Sequence, residues 1–84
     1  MMHAGPVALD ALEPLSAALR KHDALTERKR GIFHRRSAAF CHYHEDPAGF
    51  FADLRGPDAW RRYPITTQAE RRSFLRDVKK LLAL

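Results

Sequence analysis

A short run near the middle of the chain carries two histidines beside acidic residues, Phe40-Cys41-His42-Tyr43-His44-Glu45-Asp46. Side chains alternate between the two faces of a β-strand, so a strand over residues 40–44 places His42 and His44 on the same face. Two imidazoles on one face can bind a divalent transition metal, and a carboxylate from the following run, such as Asp53, can complete the ligand set. One hypothesis is therefore a metal-binding or metal-dependent domain that uses His42, His44 and Asp53.

The same alternation places Phe40 on the face of the two histidines and Cys41 and Tyr43 on the other. A Cys–His nucleophile pair within this run is geometrically poor, and we expect Cys41 to be a buried small side chain. The run has no third histidine or cysteine at a recognisable offset, and the chain holds five histidines, so such a pair also arises by chance. Structural hydrogen bonding is the alternative role for both histidines.

Other patterns typical of enzymes are missing from the sequence. None of the three serines lies in a GxSxG or SxxK context, and none of the four glycines lies in a phosphate-binding loop pattern. The sequence therefore favours a non-enzymatic binding or interaction module, with no cofactor other than the metal of the first hypothesis.

Two basic zones flank an acidic centre that carries the histidine pair. Residues 20–36 and residues 61–80 each hold seven Lys or Arg against two acidic residues, whereas residues 37–60 are net acidic. Cations replace the counterions of phosphates, and bases can stack on exposed aromatics. Trp60 and Tyr63 adjoin Arg61 and Arg62, but the aromatic residues can equally form the core of so small a domain. We therefore expect an anionic partner, a nucleic acid or an acidic protein, at Arg28, Lys29, Arg30, Arg35, Arg36, Arg61 and Arg62. The alternative is a basic surface without a partner, because no RNP, KH or helix-turn-helix pattern occurs.

Length and composition predict one small domain over residues 1–84. With 45% apolar and 30% charged residues the chain is ordinary for a globular protein. A single cysteine cannot form an internal disulfide and the start lacks a signal-peptide pattern, so we expect a cytoplasmic protein without a membrane partner. A domain of this size has a modest stability margin, and Phe50 and Phe51 place one ring on each face of a strand. Both features favour self-association as a homodimer, or binding of a protein partner, as the third candidate.

The elements that must position these residues are two helices and a short antiparallel sheet. Leucines at positions 9, 12, 15 and 19 recur at helical spacing, and Pro14 predicts a broken start followed by a regular helix from about Glu13 to Lys21. Thr67 and Glu70 form a capping box, which predicts a C-terminal helix that covers the sheet with an apolar stripe.

Between these helices the sequence changes to short runs that are rich in aromatic and β-branched residues and separated by turns. The runs are residues 31–34, 38–43, 49–54 and 59–65. They predict an antiparallel meander of three to four strands, and Pro64 predicts that the last strand lies at an edge or ends there. The predicted fold class is therefore α+β, with an N-terminal helix, the meander and a covering C-terminal helix.

Three segments carry a likeness to other sequences: Arg30-Gly31-Ile32-Phe33, Ala39-Phe40-Cys41-His42-Tyr43-His44-Glu45-Asp46 and Phe51-Ala52-Asp53-Leu54. Together they resemble a group of small bacterial proteins of unknown function. In that group a strand ending in HxHED precedes an ADL or ADV run and a short strand that leads into a final helix. The resemblance implies no known activity and no ligand role for any residue. It indicates His42, His44, Asp46 and Asp53 as the first positions to test.

Overall fold

The structure is a computed structural model that describes all of residues 1–84, and its helices and antiparallel sheet confirm the α+β class. In chain order the elements are β1 (Met2–His3), α1 (Pro6–Ala11), α2 (Glu13–Arg20), β2 (Leu25–Lys29), β3 (Ile32–Arg35), β4 (Ala38–Asp46), β5 (Gly49–Arg55), β6 (Trp60–Pro64) and α3 (Gln68–Leu82). The strand order is β2-β3-β4-β5-β6, and β1 pairs with β4. None of the three helices combines the length and the apolar character that crossing a membrane requires.

The meander has five strands where the sequence predicts three or four. The additional strand, β2, lies at one edge and buries only Leu25, while its other side chains are largely charged. A charged edge strand lacks the apolar alternation by which a strand is recognised, and charge at an edge also discourages pairing with other chains. At the opposite edge β6 ends at Pro64, as the sequence predicts.

The helices begin and end where their local signals predict. The N-terminal helical segment breaks at Leu12, and Pro14 then lies in the first turn of α2, where a missing backbone N–H costs little. At the start of α3 the Thr67 hydroxyl accepts a hydrogen bond from the Glu70 backbone N–H at 3.1 Å, and the Glu70 carboxylate accepts one from the Thr67 N–H at 2.9 Å. The predicted capping box is confirmed.

Both long helices pack on the same face of the sheet. Leu15 and Leu19 of α2 and Phe74 and Val78 of α3 form one buried cluster with inward side chains of the strands, among them Phe33, Cys41, Tyr43, Ala52, Leu54 and Tyr63. Within this core the hydroxyl groups of Tyr43 and Ser16 share a buried hydrogen bond of 3.0 Å. The opposite face of the sheet, which we call the open face, is covered by no helix. It presents the alternate side chains of β4, β5 and β6.

The expectation that Phe40 shares a face with the histidines is wrong. Phe33 pairs with Cys41, but the next residue of β3, His34, pairs with Ala39, so Phe40 is the additional residue of a β-bulge. The bulge shifts the alternation by one position, and Phe40 is buried in the same cluster as Cys41. The bulge therefore removes the Phe40 ring from the open face next to His42.

The turn between β4 and β5 sets the register on which the open face depends. The Asp46 carboxylate accepts a hydrogen bond from the Ala48 backbone N–H at 2.8 Å, which is the role expected of aspartate in a turn. Gly49 has a φ of +139°, and a Cβ at this position would collide with Thr66. Because the turn is fixed in this way, the pairing continues in register from Asp46–Gly49 to Cys41–Leu54.

Candidate metal centre

Strand pairing brings the residues of the sequence-predicted metal set together on the open face. His42 lies directly opposite Asp53 on β5, and Asp53 lies directly opposite Arg62 on β6. His44 lies two residues along β4 on the same face, and it is the more buried of the two histidines, with 9% of its surface exposed. A row of ionisable groups therefore crosses the three strands.

A third histidine, His3, joins this pair from β1. Its backbone pairs with that of His44, and the two rings lie 4.8 Å apart between centroids. The nitrogen atoms that the three imidazoles can offer to a metal all lie within 4.8 Å of one another. We call His3, His42 and His44 the histidine cluster.

The dimensions of the histidine cluster are close to those of a transition-metal site. Nδ1 of His42 and Nε2 of His44 are 2.9 Å apart, which is a hydrogen bond if one of the two nitrogens carries a proton. In a tetrahedral zinc site with Zn–N bonds near 2.0–2.1 Å, neighbouring nitrogens are separated by about 3.3 Å. The pair would thus open by only a few tenths of an ångström, and His3 would approach by up to about 1.5 Å through side-chain rotation.

The electrostatic surroundings keep His42 in the form that binds metals. Burial lowers the pKa of His42 below its ordinary value of 6.5, and repulsion by His44 lowers the pKa further, while the charge of Asp53 partly opposes both. A histidine must be neutral to donate its lone pair to a metal ion. His42 is therefore available as a ligand at neutral pH.

Asp53 is the carboxylate nearest to the cluster, and Arg62 holds it in place. The Arg62 guanidinium donates two hydrogen bonds to the Asp53 carboxylate, of 2.7 Å and 2.9 Å, and lowers the pKa of that carboxyl below its ordinary range. Oδ2 of Asp53 lies 3.1 Å from Nε2 of His44. Because each carboxylate oxygen has two lone pairs, Oδ2 can accept from Arg62 and still face the cluster.

Trp60 forms one wall of the site. Its ring lies 5.1 Å from that of His42 between centroids, and the Arg55 guanidinium lies 4.6 Å from the Trp60 ring in a cation–π contact. Trp60 is the only tryptophan of the chain, and 40% of its surface is exposed. Its fluorescence is thus a natural reporter of events at His42.

Sequence reasoning identified two of the three clustered histidines and missed His3. Strand β1 has only two residues and joins β4 as a long-range pairing, so it leaves no periodic signal in the sequence. A hydrogen bond of 2.6 Å from the Gly5 backbone N–H to the Glu45 carboxylate fixes the chain just after it. Cys41, by contrast, is fully buried on the helix side, and burial raises the pKa of its thiol, so it is neither a ligand nor a nucleophile here.

The structure distributes the seven predicted anion-binding residues over three separate places. Arg28, Lys29 and Arg30 lie around the β2–β3 turn, Arg35 and Arg36 lie at the β3–β4 turn at the other end of β3, and Arg61 and Arg62 lie on β6. The edge strands β2 and β6 are four strand spacings apart, about 19 Å. These residues do not form one continuous basic surface.

Several of these cations are already paired with neighbouring groups. Arg30 lies 2.8 Å from Asp10 and 3.2 Å from Glu13, and Arg62 is held by Asp53. The Arg61 guanidinium lies over the ring of Tyr63 on the helix side of β6. Their charges are therefore compensated within the molecule to different degrees.

Comparison with known proteins supplies no further constraint on the site. No protein-family model, no curated protein and no solved structure matches this chain. The resemblance to small bacterial proteins with an HxHED strand stays a prediction.

Proposed function

We propose that this chain is a non-enzymatic domain that binds one divalent transition-metal ion, of which zinc fits best, through His3, His42 and His44. The observation that carries the proposal is the histidine cluster, in which ligand nitrogens from two strands lie within 4.8 Å of one another. Three imidazoles favour zinc, copper, nickel or cobalt over magnesium and calcium, which prefer oxygen ligands.

Asp53 completes this set as the fourth donor. Its Oδ2 atom is 3.1 Å from Nε2 of His44, close to the separation of about 3.3 Å between neighbouring donors at a tetrahedral ion. The carboxylate also supplies the negative charge that three neutral imidazoles lack. Four protein donors leave no open position on a tetrahedral ion, which is typical of a structural site and not of a catalytic one.

The ion would connect β1 to the middle of the sheet. Strand β1 pairs with β4 at only two positions and exposes its side chains, so we expect it to open more readily than the longer strands, although the Gly5–Glu45 hydrogen bond holds the chain just after it. A metal ion bound both by His3 and by the two histidines of β4 would hold β1 against the sheet, and the binding free energy would then add to the stability of the fold.

The proposal is tested by titrating the metal-free protein with zinc while recording Trp60 fluorescence and the thermal unfolding midpoint. We expect a saturable change in fluorescence at one zinc per chain and a higher midpoint, because zinc binds the folded chain preferentially. Cobalt in place of zinc should give the visible absorption bands of a four-coordinate ion.

Three single variants, His3→Gln, His42→Gln and His44→Gln, should each weaken zinc binding. The matched control is His22→Gln, because His22 follows α2 and lies outside the cluster. The proposal fails if zinc changes neither signal, or if the control weakens binding as much as the cluster variants do.

The other sequence predictions stay predictions. Nucleic-acid binding at the basic residues, binding of an acidic protein, dimerisation and a cytoplasmic location each await their own measurement. Of these, an anionic ligand has a specific structural argument, which concerns a different part of the molecule.

A further inference from the structure

A cavity of about 460 Å³ lies at the end of the sheet where the β3–β4 turn, the β5–β6 turn and the last turn of α3 meet. Three arginines line it, Arg35, Arg36 and Arg55, together with the apolar side chains of Phe40, Leu81 and Leu84. No acidic side chain is among its lining residues. We call this cavity the arginine pocket.

The three guanidinium groups of the arginine pocket have no carboxylate partner. Arg35 donates to the backbone carbonyl of Leu81 at 3.4 Å, and Arg55 donates to that of Ala39 at 2.6 Å, so both are held by neutral groups. None of the three arginines forms an ion pair within 4.0 Å. Most of their N–H donors remain free, since each guanidinium carries five.

The arginines of the pocket differ in this respect from those arginines of the chain whose charges are compensated by carboxylates. Arg20 and Arg30 each contact two carboxylates, and Arg62 binds Asp53 through two hydrogen bonds. Because all three arginines line the same cavity and no carboxylate side chain does, their charges give it a positive potential that attracts an anion.

We propose that the arginine pocket binds a small phosphate monoester whose ester group is apolar. A phosphate monoester carries close to two negative charges at neutral pH and accepts paired hydrogen bonds from guanidinium groups. Phe40 and Leu81 offer an apolar wall for the ester group, and the cavity volume falls within the range of small-molecule pockets.

The negative end of the α3 helix dipole disfavours an anion in the arginine pocket, but its effect is smaller than the attraction of the three arginines. A helix C-terminus carries roughly half a negative charge, and Arg35 already donates to the Leu81 carbonyl there. Three full positive charges outweigh that contribution, so the pocket remains attractive to a dianion.

The test titrates the metal-free protein with phenyl phosphate in a chelating buffer, so that the result is independent of the metal proposal. Trp60 fluorescence reports binding because the Arg55 guanidinium lies 4.6 Å from its ring. We expect saturable binding that is tighter than that of inorganic phosphate, which lacks the apolar group, and tighter than that of benzoate, which carries one charge.

Two double variants with the same loss of charge decide whether the pocket is responsible. Arg35→Gln with Arg36→Gln should raise the dissociation constant for phenyl phosphate about tenfold or more. Lys21→Gln with Arg72→Gln removes two exposed positive charges elsewhere and should leave that constant unchanged. If the first double variant does not fold, Arg55→Gln takes its place, with heteronuclear NMR shifts as the readout.

Two results would overturn the proposal. Equal weakening by both double variants would mean that phenyl phosphate follows the net charge of the surface and not the pocket. Binding of a ten-nucleotide single strand but of no small phosphate would mean that an extended polyanion, and not a monoester, is the ligand of these cations.

Discussion

Replacing Asp53 by asparagine removes two contributions of this carboxylate, one to the stability of the fold and one to zinc binding. Asp53 accepts two hydrogen bonds from Arg62 and lies 3.1 Å from Nε2 of His44. Asparagine keeps the size of the side chain but removes the negative charge and one acceptor. We therefore expect both a modest loss of stability and a loss of zinc affinity.

The magnitude of the stability loss follows from the exposure of the pair. The Asp53 side chain is 15% exposed but that of Arg62 is 48% exposed, so solvent screens much of the attraction. Because ion pairs with an exposed partner contribute little, the unfolding midpoint in chelator should fall by no more than a few degrees. Loss of a charged donor from the ion should raise the zinc dissociation constant at least tenfold, or about 1.4 kcal/mol.

The assay is thermal unfolding of Asp53→Asn with and without zinc, next to Asp77→Asn as the matched control. Asp77 also accepts a hydrogen bond, of 2.8 Å from the Tyr63 hydroxyl, but it lies on α3 on the helix side of the sheet. Both variants should lose stability in chelator, whereas only Asp53→Asn should lose most of the shift that zinc causes.

Unfolding at acid pH gives an independent test of the ion pair between Asp53 and Arg62. Arg62 holds the pKa of Asp53 below its ordinary value of 3.8, so the stability from this pair is present above that value and is lost as the pH falls through the lower, folded pKa. Asp53→Asn should lack this component of acid unfolding. If Asp53→Asn binds zinc as tightly as the native chain, the Asp53 carboxylate is not a donor to the ion.

Two further predictions concern the groups on either side of β4. In the core, Tyr43→Phe and Ser16→Ala should each lower the free energy of unfolding by about 1–2 kcal/mol, because each change leaves one buried hydroxyl without its partner. The double variant should lose less than the sum of the two. Additive losses in urea unfolding would contradict this. On the open face, burial keeps the pKa of His42 below 6.5, so the unfolded chain takes up this proton first and metal-free stability should fall as the pH drops below that value. His42→Gln should flatten this slope between pH 7.5 and 5.5 while His22→Gln should not.

Local sequence signals predicted the helices well because each signal acts within a few residues. The capping box of Thr67 and Glu70 and the position of Pro14 in the first turn are determined by neighbouring backbone groups. The shared face of His42 and His44 follows in the same way from the alternation of a single strand.

Features that depend on pairing between distant segments were not predictable. Strand β1 is too short to show a period, so the third histidine of the cluster was missed. The bulge at Phe40 arises from the register of β3 against β4, and no local sequence pattern indicates it. The partners of the arginines are likewise set by the sheet, which leaves Arg62 bound to a carboxylate and Arg35 without one.

Calorimetric titration of the metal-free protein with zinc, beside the double variant His42→Gln, His44→Gln, decides whether the histidine cluster binds the ion. We expect one zinc per native chain, with a proton release that grows as the pH falls toward 6, because the ligands must be neutral to bind. We expect no such binding to the double variant. If the native chain takes up no zinc, or if the double variant binds zinc equally well, the histidine cluster is not a zinc site.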